Sequence, residues 1–215
     1  MFKAILSAVA LFILGGIFLF FWRWRSGNIA PPPAGKIQNV VSESQIPATG
    51  LNLPLNNVLG RVTKKPFGIY ITPKNSPVTP EKFIGWHTGA DFEIFSGEEN
   101  KDVQVSAICG GKLLVKEFGR GYGGMLVQAC DINSQPATIV YGHLKLESVA
   151  FKVGDDIAAG AIIGVLGKGY TNETDYERKH LHLGIRKGSA VDTRGYVAAE
   201  SELINWIDPI SLQNY

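Results

Sequence analysis

The sequence has little histidine, little cysteine and almost no net charge, and each shortage removes a class of explanation. Its 215 residues leave room for one good core but not for a second full catalytic domain. The 21 Lys+Arg against 19 Asp+Glu give only +2, far short of the basic excess that general nucleic-acid binding requires, so no DNA or RNA partner is expected. Neither of the two cysteines has a Cys-His motif around it, which argues against cysteine catalysis. No repeat of solenoid period is visible, and no long amphipathic helix follows residue 26. What the chain does have is 45% hydrophobic residues with 25 Gly and 11 Pro, the composition of a globular protein with short strands and many turns.

The charge is not evenly spread. From Ala4 to Trp22 the run AILSAVALFILGGIFLFFW contains no charged residue. At helical rise it is about 28 Å long, close to the roughly 30 Å hydrocarbon core of a bilayer. Trp22, Arg23, Trp24 and Arg25 follow it like an interfacial belt with snorkelling cations. The nearest small-residue cleavage candidate, Asn28-Ile29-Ala30, runs into Pro31-Pro32-Pro33, and no lipobox cysteine follows. Residues 1–26 are therefore read as one transmembrane signal-anchor helix rather than a cleaved peptide. Its flanking charges, Lys3 on one side and Arg23 and Arg25 on the other, leave the orientation open. Without those three residues the rest carries 18 basic and 19 acidic side chains, so the basic excess belongs to the anchor. Residues 27–58, rich in Pro and Asn, read as a tether, and residues 59–215 as the folded domain.

In that domain RVTKKPFGIYITP, DVQVSAI, GKLLVKEF, MLVQAC, ATIVYGHL, DIAAGAIIGVLG and HLHLGI are β-rich runs separated by Gly, Pro, Asn and Asp. A mostly β fold follows, a small antiparallel sandwich or barrel-like domain. Cys109 and Cys130 lie nearly symmetrically about the turn FGRGYGG, as cross-strand neighbours of a hairpin would. They form either a disulfide made outside the cytoplasm or two small buried thiols.

The four histidines carry the chemistry. In HLHL, the period-2 spacing of a strand sends His180 and His182 to one face and Leu181 and Leu183 to the other. In GWHTGADFEIF, His87 precedes Asp91 by four residues, again an even spacing along an extended segment, and supplies one nitrogen and one oxygen ligand. His143 closes the run IVYGHL at the end of an expected strand, where functional groups gather at a rim. Taken singly, each could be a hydrogen-bonded core histidine. All four, however, fall into three motifs in the order HxxxD, GHL, HxH, and none is left over.

That order, with VGDDIAAGAIIGVLG between the last two motifs and NWIDP near the end, resembles the lysostaphin/LytM-type zinc metallopeptidases that cut peptide bonds in bacterial peptidoglycan. The resemblance covers roughly residues 60–212. It implies a small, mostly antiparallel β domain with one Zn2+ held in a groove by His87, Asp91 and His182. It also implies that His143 and His180 are the unliganded catalytic pair. Three protein ligands leave a fourth position for water, as in catalytic zinc sites. The expected activity is a membrane-anchored zinc endopeptidase facing the cell wall, hence single-pass in the cell membrane with its domain on the extracytoplasmic side. A catalytically silent envelope module of the same fold, which binds cell wall or activates a partner hydrolase, is the alternative. The hairpin run also resembles biotinyl and lipoyl carriers, but no Met-Lys or Asp-Lys acceptor dipeptide sits at its tip, where Lys168 stands in GKGY.

The segment GKGYTNETDYERK before HLHL is longer and more charged than the small Gly-rich loop usual in that family. Its Tyr170, Asp175, Tyr176, Glu177, Arg178 and Lys179 either shape a groove for a charged stem peptide or form a solvated loop. Trp86 and Tyr141 either line the cleft or pack in the core.

Overall fold

Short β-branched and aromatic runs punctuated by turn residues pair with their chain neighbours, and the result is an antiparallel, mostly β domain. The computed structural model describes residues 51–213. The expected transmembrane segment and most of the tether lie outside the described residues. Among the described residues there are twelve strands: β1 (Tyr70–Ile71), β2 (Gly85–His87), β3 (Gly89–Glu93), β4 (Gln104–Ser106), β5 (Gly111–Gly119), β6 (Gly123–Ile132), β7 (Gln135–Leu144), β8 (Asp156–Ile157), β9 (Ile162–Val165), β10 (His180–Lys187), β11 (Tyr196–Val197) and β12 (Trp206–Ile207). Their helical elements are short 3-10 turns, and none is long and apolar enough to cross a membrane.

The main sheet has the order β12-β10-β7-β6-β5-β8. One edge of β10 pairs with β7, and its other edge is shared by β3 along the first half and β12 along the second. A three-stranded sheet, β1-β2-β11, and the pair β4-β9 complete the fold. One face of the main sheet packs Leu126, Ile139, Tyr141, Leu181, Leu183 and Ile185 into the core with Phe92 and Leu113. The opposite face carries a smaller cluster of Tyr122, Met125, Val127 and Val140. Cys109 and Cys130 are joined in a disulfide with Cα atoms 6.0 Å apart, at the open end of the β5–β6 hairpin.

Two expectations change. Residues 51–58, read from composition as the end of the tether, belong to the fold. Leu51, Leu55 and Val58 are buried in the core, and Asn52 N–H donates to the Ile108 carbonyl at 2.6 Å. The Asn and Pro residues between these apolar side chains masked their spacing. In RVTKKPFGIYITP only Tyr70–Ile71 forms a strand. Pro66 has no N–H for a ladder, and Lys65 turns inward to the buried carboxylate of Glu81 at 2.5 Å.

Candidate metal and catalytic site

The site forms where the chain leaves one sheet for another. His87 ends β2, where its partner is Tyr196 of β11, and Asp91 lies in β3, directly opposite His182 of β10. Between them Thr88 breaks the strand: its N–H donates to the Gly195 carbonyl at 3.0 Å and its hydroxyl to the Arg194 carbonyl at 2.6 Å. The His87 and Asp91 side chains therefore reach one point from two sheets. Gly89 permits the close approach. A Cβ there would collide with the Leu183 carbonyl and lie 2.8 Å from the His182 ring. In β10 the expected alternation holds, with Leu181 and Leu183 in the core and both histidines on the face of Asp91.

Three atoms converge. His87 Nε2, His182 Nδ1 and Asp91 Oδ1 form a triangle with sides of 3.1, 3.3 and 3.1 Å, and all three residues are buried. Ligands about 2.0 Å from a tetrahedral ion stand about 3.3 Å apart, so the triangle has the size a zinc ion requires. The outward nitrogens fit as well. His87 Nδ1 lies 3.2 Å from the Pro66 carbonyl, which can only accept, so the proton belongs on Nδ1 and the lone pair on Nε2 points into the triangle. His182 Nε2 faces the Tyr122 hydroxyl at 3.4 Å. Burial pushes the His182 ring down to about 4, against the pull of its Asp91 hydrogen bond, so at neutral pH it carries a lone pair fit for a metal.

The other two histidines sit beside this triangle. His180 Nδ1 lies 2.8 Å from the Arg178 carbonyl, which places the ring proton there and leaves Nε2 3.3 Å from Asp91 Oδ2. His143 packs against it, ring centroids 4.1 Å apart. Burial, followed by the neighbouring His180, holds His143 well below its ordinary value, and its Nδ1 is buried without a hydrogen-bond partner among the described residues. His143 arrives by a bulge. The β6–β7 register pairs Gly124 with Leu144 and Met125 with Gly142, so His143 is the extra residue, with φ at +64°. Strict alternation would put it on the core face with Tyr141. The bulge turns it to the face of His180 and returns Leu144 to the core.

Arg178 completes the cluster. Its Nη2 donates to Asp91 Oδ2 at 2.9 Å, and Nε and Nη2 grip Glu93 at 2.6–3.0 Å. Burial alone would raise the Asp91 carboxyl. The His180, His87 and His182 rings that face it outweigh that and hold it well below the usual carboxylate range. Asp91, His143, His180, His182, Tyr122 and Arg178 all line one cavity of about 240 Å3.

All five residues singled out in the sequence meet here. The charged segment before HLHL is only partly solvated: Glu177, Arg178 and Lys179 are buried, Asp175 accepts from Gly121 N–H at 2.9 Å, and Tyr170 and Tyr176 are exposed. Tyr141 belongs to the core, where its hydroxyl bridges Ile108 N–H and Gln128. Trp86 packs on Tyr70 and does not line the cavity. Sequence reasoning missed Tyr122, Lys65 and Tyr196 as cavity residues. Only the Gly-rich turn around Tyr122 hinted that backbone would come close.

An antiparallel β domain with a buried His-Asp-His cluster on a cavity floor defines a metallopeptidase-like class. Comparison with known proteins gives the family. A match to Peptidase family M23 spans residues 85–193, half of the chain, and the chain belongs to that family, as a LytM-type peptidase domain. Endolysin 2638A of Staphylococcus phage 2638A is 31% identical over 114 residues, which are 51% of this chain and 21% of the phage protein. The chain thus spans about a fifth of that relative's length. Among solved structures, LytU is 25% identical at a TM-score of 0.48, covering 71% of this chain and 84% of its own. The SpoIIIAH and SpoIIQ complex contains a chain 20% identical at a TM-score of 0.50, covering 75% and 99%, a likeness of fold.

Proposed function

We propose that the chain is a zinc endopeptidase that hydrolyses peptide bonds in bacterial peptidoglycan, anchored to the membrane by residues 1–26 with its domain on the extracytoplasmic side. The observation that carries the reading is the triangle of His87 Nε2, Asp91 Oδ1 and His182 Nδ1, flanked by two histidines that are not part of it. His87, Asp91 and His182 would hold the ion, which when bound supplies a Lewis acid for the scissile carbonyl and a water of lowered pKa. His180 offers the Nε2 lone pair as general base, and a proton taken up there faces Asp91 Oδ2. His143, kept neutral by burial, has a ring nitrogen free to hydrogen-bond the developing oxyanion. Tyr122 orients the His182 ring from behind.

The test is to purify the full chain, measure zinc per chain, and follow new amines released from purified cell walls with and without a chelator. Chelator-sensitive release with about one zinc per chain is expected. His180→Ala should lower release by about 10²–10⁴-fold while keeping the zinc. His182→Ala should lose both. Stoichiometric zinc without any chelator-sensitive release would instead favour the silent envelope module.

A further inference from the structure

The two oxygens of Asp91 do different work. Oδ1 faces His87 and His182 in the triangle, whereas Oδ2 is held 2.9 Å from Arg178 Nη2 and 3.3 Å from His180 Nε2. Arg178 is in turn fixed by Glu93, whose carboxylate receives three of its donor contacts. The placement follows from the strands. Asp91 and Glu93 are two residues apart in β3 and share a face, and they pair with His182 and His180 of β10. Arg178, two residues before His180, enters on that same face and is buried.

We propose that Arg178 is a positioning residue for the metal centre: by occupying Oδ2 it restricts Asp91 to a single ligand oxygen and keeps the protein's contribution at three ligands. This rests on the zinc reading above. An unrestrained carboxylate has two oxygens to offer, and a second one at the ion would take the position that a catalytic site keeps open for water. A guanidinium beside a divalent cation would by itself repel it. The Glu93 carboxylate offsets that charge, which accounts for a second buried acid beside the ligand. Lysine would not replace arginine fully, because one ammonium lacks the planar fork that grips both carboxylates. Half-exposed Lys64, 3.3 Å from Glu93, is too far out to substitute.

The experiment loads the full chain with Co2+, whose visible absorption reports coordination number and geometry, and compares wild type with Arg178→Met, Arg178→Lys and the double variant Arg178→Met/Glu93→Gln at equal metal occupancy. The double variant removes the Glu93 charge together with Arg178, so that Glu93 is not left as a buried charge without its partner, and circular dichroism checks each metal-free form. Arg178→Met and the double variant should roughly halve the visible band as the site gains a ligand oxygen, and Arg178→Lys should retain more of it than Arg178→Met. If both Met variants keep the wild-type band, the proposal is overturned, even where their metal affinity falls. A wild-type chain that takes up no Co2+ defeats the zinc reading, and this proposal with it. Wild-type uptake with unchanged variants defeats this proposal alone.

Discussion

Two histidines of the site are neutral because they are buried, and their neutrality has a cost that pH exposes. His182 is pushed down to about 4 and His143 well below its ordinary 6.5, burial being the largest cause in both. Below pH 6.5 the unfolded chain takes up protons that these folded rings refuse, so stability falls as pH falls. For His182 the loss runs from 6.5 to about 4. Asp91 adds to it lower down: its carboxyl is ionised in the fold, so below its ordinary 3.8 the unfolded chain again binds the extra proton. The chelator-treated chain should therefore melt at progressively lower temperature from pH 7 to pH 4. A melting temperature that stays flat or rises across that window would contradict the assignment of neutral buried rings. The candidate cluster was legible in the sequence: strand geometry converts the local spacing HxH directly into direction, whereas His87 and Asp91 of HxxxD meet across the break at Thr88 rather than along one continuous strand. Arg178 and Tyr122 were not legible, because their partners lie 87 and 60 residues away, and which strands pair is not written in either neighbourhood.

At the level of elements, the long central strands were readable and the short connecting ones were not. GKLLVKEF, MLVQAC and ATIVYGHL fall inside β5, β6 and β7, where β-branched residues and turn glycines repeat. β2, β11 and β12 are two or three residues long and exist because neighbouring strands offer them free backbone groups, a tertiary cause. The bulge at His143 was equally hidden, since period-2 reasoning puts that ring in the core. Its backbone is held by its own N–H to the Tyr122 carbonyl at 3.1 Å and by Gly167 N–H to its carbonyl at 2.8 Å. The left-handed φ makes a sharp prediction about stability rather than activity. Asn accepts this conformation far more readily than a β-branched residue. His143→Asn should melt close to wild type, whereas His143→Val should lose roughly 1–3 kcal/mol. Denaturant unfolding of the two variants measures the difference, and equal stabilities would mean that the bulge relaxes when the histidine is removed.

The whole molecule joins a near-neutral domain to an apolar amino-terminal run that carries the basic excess. The domain gives that run a direction. On the proposed function the cavity is useful only where cell-wall peptides are, and the Cys109–Cys130 disulfide suits an oxidising compartment outside the cytoplasm. Both considerations favour the proposed orientation, amino terminus inside and domain outside, which Lys3, Arg23 and Arg25 alone left balanced. The full chain, expressed with a carboxy-terminal tag, should sediment with membranes and resist extraction by alkaline carbonate. In spheroplasts an external protease should remove the tag without detergent. Protection of the tag until the membrane is dissolved would reverse the orientation, and with it the substrate the domain can reach.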